Sequence, residues 1–166
     1  LTAALNIKFL TFHFGFIENY DYELREKVRF LADVAEQNNI IILMESGQES
    51  AESLKDFLVK LSHPALGVNF DPANMILYDK GDPVSALETL TPWVKHIHIK
   101  DARRSAVAGQ WGEEVPWGDG DFDNYEFLKT LNRIGYQGAL AIEREAGSKR
   151  LEDSQHAALS LSHLYF

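Results

Sequence analysis

The 166-residue sequence contains no cysteine. This absence excludes disulfides, thiolate zinc sites and cysteine nucleophiles, and it fits a reducing compartment, so we expect a cytoplasmic protein. Long apolar runs are also absent. None approaches the roughly 20 residues that a helix needs to cross a bilayer, and we therefore expect no membrane partner.

Basic residues are few, with 16 Lys and Arg against 25 Asp and Glu and a formal net charge of −9. A protein that binds duplex DNA usually carries a basic face that neutralises phosphates, so we expect no nucleic-acid partner. The composition is that of a folded chain, because 45% of the residues are hydrophobic and 25% are charged. No linker-like segment interrupts the sequence, which predicts a single domain over residues 1–166.

Four apolar runs each end in, or contain near their end, a side chain that commonly binds metal ions. In chain order these side chains are Glu45, Asp71, His98 and Glu143. The run around His98 alternates as a strand does, with Ile97 and Ile99 on one face and His96, His98 and Lys100 on the other. The repetition predicts four strands that end at one common site.

Strand-like and helix-like segments alternate along the whole chain. The pattern predicts strands over residues 6–12, 40–44, 66–70, 94–99 and 139–142, a polar loop over 101–121, and a helix capped by Asp21 whose apolar stripe is Leu24, Val28, Leu31 and Ala35. Further helices are predicted from stripes at 54–61, 83–90, 124–134 and 157–164. Such alternation is typical of an α/β fold with a parallel sheet. In a (β/α)₈ barrel, the carboxyl ends of the strands form the active-site face.

The four side chains supply three carboxylates and one imidazole, which suits a single divalent ion such as Mn²⁺, Mg²⁺, Co²⁺ or Zn²⁺ with positions left open for substrate oxygens. An ion chelated by a carbonyl and a neighbouring hydroxyl acidifies the C–H between them and stabilises the enediolate that forms. Glu45 and Glu143 lie on different strands and could flank that carbon, one removing a proton and the other returning it. Polar side chains one turn beyond the ligands, Asn74 and Arg104, could hold other substrate oxygens.

Several motifs resemble the sugar phosphate isomerases/epimerases of the xylose-isomerase-like TIM-barrel superfamily. They cover nearly the whole chain in order, and they are Met44-Glu45-Ser46-Gly47-Gln48-Glu49, Val68-Asn69-Phe70-Asp71-Pro72-Ala73-Asn74-Met75, His96-Ile97-His98-Ile99-Lys100-Asp101, Val115-Pro116-Trp117-Gly118-Asp119-Gly120-Asp121, and Gly135-Tyr136-Gln137-Gly138 with Ala141-Ile142-Glu143-Arg144-Glu145.

The resemblance implies a metal-dependent isomerase or epimerase of a keto sugar, sugar phosphate or related polyol. It implies that the metal is bound by Glu45, Asp71, His98 and Glu143, and that both glutamates also transfer protons. It further implies that His13 and Arg104 contact the substrate. Gln48, which follows Glu45, is expected either to contact substrate or only to begin a helix.

Two departures from the family pattern are visible. Asn74 stands where keto-sugar epimerases often have a histidine, and the DNA-repair enzyme endonuclease IV also uses a histidine there, so a DNA-repair hydrolase is the least favoured function. A full barrel needs roughly 250 residues. The motifs match the fourth to eighth strands, so the first three βα units are expected to be missing. An open sheet with two free edges favours association, and a homo-oligomer is possible.

Each residue also has a simpler interpretation. Glu45 could be a solvated strand-end residue, Asp71 a turn former before Pro72, and His98 a hydrogen-bonded structural histidine. His96 is expected to pack inside the barrel. Lys100 and Asp101 could border the site or anchor a loop, and Trp111 and Trp117 could line a pocket or pin the loop that carries them. A non-catalytic barrel fragment or interaction module is therefore the alternative function.

Overall fold

The computed structural model describes residues 1–15, 17 and 22–164, except for the side chains of residues 163 and 164. The helix cap that the sequence suggests at Asp21, and the side chain of Leu164 in the last apolar stripe, lie outside the described residues. The elements, in chain order, are β1 (Phe9–Phe12), α1 (Tyr22–Gln37), β2 (Ile41–Glu45), α2 (Ala51–Leu61), β3 (Leu66–Phe70), α3 (Pro72–Leu77), α4 (Pro83–Leu90), β4 (Val94–Ile99), β5 (Asp101–Arg103), β6 (Glu113–Val115), α5 (Asn124–Arg133), β7 (Leu140–Ile142) and α6 (Arg150–Leu164).

Five strands form one parallel sheet in the order β1-β2-β3-β4-β7. Each strand lies beside the next one along the chain, apart from the small ribbon inserted before β7, and helices connect the parallel neighbours. This is the order of consecutive units in a (β/α)₈ barrel, so the prediction of a TIM-barrel type with five strands present is confirmed. The sheet is a half-barrel.

The helices pack one apolar face against the sheet. Leu54 and Leu58 of α2, Leu87 and Leu90 of α4, and Phe127 of α5 are buried, as their helical spacing predicts. Part of the α1 stripe differs from the prediction, because Leu31 is exposed while Val28 and Ala35 are buried. The reason is position: α1 lies beside β2 at the β1 end of the sheet, where no further βα unit of the described residues packs against it.

Three parts of the chain differ from the sequence prediction. Residues 101–121 are not simply a loop, since β5 and β6 pair in an antiparallel ribbon with Asp101 opposite Val115. Directly after Asp71 the chain forms the short helix α3, in which all six residues are buried. Strand β1 also begins at Phe9, because residues 2–6 form turns and Asn6 has a positive φ of 53°.

Candidate functional site

The proposed metal ligands meet at the carboxyl edge of the sheet because successive parallel strands end there. Glu45 is the last residue of β2, Asp71 follows β3, and Glu143 follows β7. His98 is in β4, whose neighbours β3 and β7 bring Asp71 and Glu143 beside it. Regular strand pairing thus places side chains that are about a hundred residues apart in sequence at one point.

The four side chains come close enough to share one ion. Each offers a ligand atom, and these atoms all lie within 4.8 Å of one another. His98 Nδ1 lies 3.2 Å from Glu143 Oε2, 3.4 Å from Asp71 Oδ2 and 3.9 Å from Glu45 Oε1. Three carboxylates and one imidazole are a donor set that a divalent cation accepts, so this group could bind a metal.

Neighbouring groups orient the carboxylates. Asp71 uses Oδ1 to accept from the backbone N–H of Asn74, which caps α3 and leaves Oδ2 directed toward His98. Asn74 Nδ2 donates to Glu45 Oε1 at 3.1 Å, and His13 Nε2 lies 3.5 Å from the same oxygen. Asn74 therefore lies in contact with a proposed ligand.

His98 fits a ligand role through its second nitrogen. To bind a cation through Nδ1, the imidazole must carry its proton on Nε2 and needs an acceptor there. Asn69 Nδ2 lies 3.0 Å from His98 Nε2, and Asn69 Oδ1 lies 2.8 Å from His96 Nδ1. As placed, Asn69 Nδ2 donates to His98 Nε2 and Asn69 Oδ1 accepts from His96 Nδ1–H; a cation on His98 Nδ1 requires this amide to rotate by 180°, so that its oxygen accepts from Nε2–H. His96 thus packs within the half-barrel, as the sequence favours.

The clustered charges shift the pKa values of the ligands. Burial alone would lower the pKa of His98, but hydrogen bonds to Asp71 and Glu143 raise it to about 10. The hydrogen bond with His98, aided by Lys100 and opposed by burial, lowers the pKa of Glu143 to about 2. Burial, with the charge of Asp71, raises the pKa of Glu45. The two glutamates therefore differ in basicity.

Lys100 borders the site and does not merely anchor a loop. Its buried ammonium donates to Glu143 Oε2 at 2.9 Å and to Glu145 Oε2 at 2.6 Å. The Asp71 and Glu114 carboxylates lie a little further away, each at 3.9 Å from Nζ. Burial alone would lower the pKa of Lys100, but the surrounding carboxylates raise it. Lys100 therefore keeps its positive charge beside the proposed ligands.

A cavity of about 610 Å³ opens above these ligands, a size typical of small-molecule sites. Carboxylates, two cations, aromatic rings and backbone line it; the lining includes His13, Glu45, Asn74, Tyr78, Lys100, Trp111, Glu113, Glu114, Glu143, Arg144 and Glu145. His13 and Asn74, which the sequence proposes as substrate contacts, are both present. The side chains of Tyr78 and Trp111 pack edge to face at 4.5 Å, which makes one wall aromatic.

Two proposed substrate contacts are placed elsewhere. Arg104 is not among the residues lining the cavity, because its guanidinium donates to Asp79 Oδ1 at 2.9 Å and to the Gly81 carbonyl at 2.8 Å. Gln48 is also outside the lining and donates to the Tyr78 hydroxyl at 3.1 Å. Gln48 therefore contacts the cavity wall, while Arg104 ties the ribbon to the loop after α3.

Sequence reasoning did not single out Glu114, Arg144 or Tyr78. Glu114 belongs to the unpredicted ribbon, and Tyr78 follows the unpredicted helix α3. Arg144 and Glu145 follow the proposed ligand Glu143 directly, which is the one sequence signal that could have identified them. Asp101 and Trp117, in contrast, anchor the loop: Asp101 Oδ2 accepts from the Gly118 and Gly120 amides, and Trp117 packs near Phe122.

A second group of potential ligands, Asp33, Glu36 and His63, lies between α1 and the end of α2. His63 Nδ1 accepts from the Ala65 amide at 3.1 Å, so the proton is on Nε2, which donates to Asp33 Oδ1 at 3.1 Å. Neither ring nitrogen then offers a free lone pair. This group is a hydrogen-bonded clamp and not a metal site.

Among the described residues, no helix is long and apolar enough to cross a membrane. A family model described as xylose isomerase-like TIM barrel matches residues 1–164. The chain is 36% identical to a xylose isomerase domain protein from Planctomyces limnophilus, whose crystal structure superposes with a TM-score of 0.90 over 98% of this chain and 60% of that one.

Two other similar proteins carry names for different reactions. The inosose dehydratase of Clostridium tetani (strain Massachusetts / E88) is 24% identical over 158 residues, which are 86% of this chain and 53% of that protein. A D-tagatose 3-epimerase-like protein, at 23% identity and a TM-score of 0.79, is matched over 98% of this chain and 64% of its own. The chain thus spans about half to two thirds of the length of these proteins.

Proposed function

Because the chain belongs to the xylose isomerase-like TIM barrel family, we propose that it takes part in divalent-metal-dependent isomerisation or epimerisation of a keto sugar or related polyol. The observation that carries this proposal is the convergence of ligand atoms of Glu45, Asp71, His98 and Glu143 within 4.8 Å of one another, beside a cavity that Glu45 and Glu143 line. These four ligand atoms lie at the carboxyl ends of barrel strands, which is where the active sites of TIM-barrel enzymes are found.

In this proposal those four side chains hold the cation. Asp71 and His98 are buried, and hydrogen bonds from Asn74 and Asn69 fix their orientation. When bound, the cation polarises the substrate carbonyl and stabilises the negative charge that develops on its oxygen. The buried position favours this chemistry, because electrostatic interactions are stronger where water is excluded.

Glu45 and Glu143 transfer the proton at the carbon beside the carbonyl. They approach the ligand cluster from β2 and β7, on either side of β3 and β4. Glu143 is held ionised by His98 and Lys100, which lower its pKa to about 2, so it can accept the proton but has none to give. Burial raises the pKa of Glu45 and so favours its protonated form, which can return a proton on the other face. Removal by Glu143 on one face and return by Glu45 on the other would invert the carbon.

His13 and Asn74 position Glu45. Both lie within 3.5 Å of Glu45 Oε1 and both line the cavity. A substrate bound there would meet their nitrogen atoms, which can donate hydrogen bonds to its hydroxyl or carbonyl oxygens.

Dehydration of a keto polyol is the second candidate. It is favoured by the similarity to inosose dehydratase over 86% of this chain. Both reactions begin with removal of a proton beside a carbonyl group, so the same two glutamates would serve. They differ afterwards, since dehydration also expels a hydroxyl group as water and lowers the product mass accordingly.

The test is incorporation of solvent deuterium. The purified chain is supplied with Mn²⁺ or Mg²⁺ in D₂O with D-fructose, D-tagatose or an inosose, and products are analysed by NMR and mass spectrometry. We expect deuterium at the carbon beside the carbonyl. A product of unchanged skeleton supports epimerisation or isomerisation, and loss of water supports dehydration.

The Glu143→Gln variant is expected to reduce exchange by at least about a hundredfold, the usual contribution of a general acid or base. Glu126→Gln is the matched control, because Glu126 is a carboxylate of α5 that pairs with Lys129 and does not line the cavity. Unchanged exchange in a folded Glu143→Gln variant would reject the proton-transfer role. Absence of any bound divalent metal in elemental analysis would favour a non-catalytic interaction module instead.

A further inference from the structure

Glu114, on the ribbon strand β6, has an unusual set of partners. Its side chain is only 9% exposed. One oxygen, Oε1, accepts three hydrogen bonds, from Arg144 Nη1 at 2.6 Å, from the Glu145 amide at 2.9 Å and from the Ala146 amide at 3.1 Å. All three donors belong to the segment that directly follows Glu143, the last proposed metal ligand.

These donors form an anion-binding arrangement. Consecutive backbone N–H groups that point to one spot bind anions, and a guanidinium adds charge and direction. In TIM barrels the loops after the last two strands frequently bind a substrate phosphate. Here the segment after β7 offers such a place, and the Glu114 carboxylate occupies it.

The rest of the cavity offers an anion no free cation. Among its described lining residues, Lys100 is the only lysine and Arg144 the only arginine. Lys100 is bound to Glu143 and Glu145, and Arg144 also donates through Nε to Asp153 at 2.9 Å. The residues outside the described ranges include no lysine or arginine.

The helix that starts at the site is closed to anions as well. The N-terminus of α3 is capped by the Asp71 carboxylate, and Pro72, at its first turn, has no N–H to give. Glu45, Glu113, Glu143 and Glu145 add further negative charge to the cavity. These carboxylates would therefore repel an anionic substrate.

We propose that Glu114 is a specificity-determining residue, whose carboxylate fills the anion site formed by Arg144 and the amides of Glu145 and Ala146, so that the cavity accepts an uncharged keto sugar or polyol and rejects its phosphate ester. This inference rests on the proposed function and narrows its substrate class. The aromatic wall agrees with it, because Tyr78 and Trp111 offer an apolar surface to the C–H groups of an uncharged sugar.

The test compares D-fructose with D-fructose 6-phosphate as ligands of the Mn²⁺-loaded chain, by calorimetry or by paramagnetic relaxation of ligand protons. We expect the ester to bind at least about tenfold more weakly, the size of one charge-assisted hydrogen bond lost or gained. In Glu114→Ala the site is opened, and this ratio should fall by about tenfold or more. Adding Arg144→Ala to that variant should abolish the gain.

Glu113→Ala is the matched control, since it removes the same charge from the same strand. It should change the ratio by less than about threefold, as expected of a general charge effect at an exposed position. An equal change in both variants, or no change in a folded Glu114→Ala, would overturn the proposal. So would an ester that binds the unmodified chain as tightly as the free sugar, a comparison that needs no variant to fold.

The Glu114→Gln variant provides a second route if Glu114→Ala unfolds. It keeps the shape and removes the charge, so the ratio should fall by at least about threefold; an unchanged ratio contradicts the proposal. Failure of the proposed function gives a different result. In that case Mn²⁺ is not bound or neither ligand binds, whereas failure of this inference alone leaves sugar binding intact and only the selectivity absent.

Discussion

At the scale of single residues, the chemistry of the site depends on which proton each side chain holds. His98 binds its proton tightly, because hydrogen bonds to Asp71 and Glu143 outweigh burial and raise its pKa to about 10. Glu143 holds none at neutral pH, since its pKa is lowered to about 2. A cation that enters the cluster must therefore compete with a proton on His98 and with none on Glu143.

We predict that metal binding releases close to one proton per ion between pH 7 and 9. Below a pKa of about 10 His98 is protonated, and a metal needs the neutral ring, so affinity should rise by about tenfold per pH unit and level off above pH 10. Calorimetry in two buffers with different ionisation enthalpies measures the number of protons released. A pH-independent affinity with no proton released would contradict a role for His98 as ligand.

At the scale of elements, the sequence predicts the strands that carry the ligands better than it predicts the segments that shape the cavity. Strands β3 and β4 have the predicted bounds, since continuous apolar runs between turn residues define them. Helix α3 has no polar face to give a helical period, because all its residues are buried. The ribbon strands have three residues each, and the buried Asp101 anchors their base through the long-range bonds from Gly118, Gly120 and Asn124.

The sequence likewise predicts the proposed ligands better than the contacts that shape the cavity walls. The position of Glu45, Asp71, His98 and Glu143 at strand ends was predictable, because parallel strands share an edge. The pairing of Arg104 with Asp79 was not, since it joins the ribbon to a loop of another unit. Contacts between segments that regular pairing does not relate cannot be found from periodicity.

The turn between β2 and α2 depends on Gly47, and we predict that Gly47→Ala lowers both stability and metal affinity. Gly47 has a φ of +115°, and a Cβ there would lie 2.3 Å from Asn74 Cβ and 2.7 Å from its carbonyl carbon. Since that backbone belongs to α3, the helix must shift and the hydrogen bond from Asn74 to Glu45 is lost. We expect a loss of about 2–4 kcal/mol in the free energy of unfolding.

Gly109→Ala is the matched control, because Gly109 also has a positive φ, of 74°, but a Cβ there would meet nothing within 4 Å. It should cost only about 1 kcal/mol, the strain of the backbone conformation itself. Urea unfolding measures both variants, and titration with Mn²⁺ follows the site. Equal losses of stability would mean that the contact with Asn74 has no part in the effect.

At the scale of the whole molecule, the half-barrel leaves both ends of its sheet open. Strands β1 and β7 each pair with one neighbour among the described residues. Beside β1, the apolar side chains of Leu10, Phe30 and Val34 are exposed, and on α6 Leu151 and Leu159 are exposed as well. Similar proteins have the remaining 36–47% of their length unmatched by this chain. Free strand edges beside exposed apolar helices favour association.

We predict that this chain self-associates, and more strongly as salt is added, because the net charge of −9 opposes association and salt screens it. Sedimentation velocity over a range of concentrations, at about 0.02 M and 0.5 M salt, measures the effect.

Leu10→Lys places a charge on the open edge and should reduce association. Val59→Lys is the control, because Val59 is also an exposed apolar residue but lies on α2, away from both edges of the sheet. A chain that remains monomeric at high salt, or that responds equally to both substitutions, would show that the open edges are protected by the fold itself.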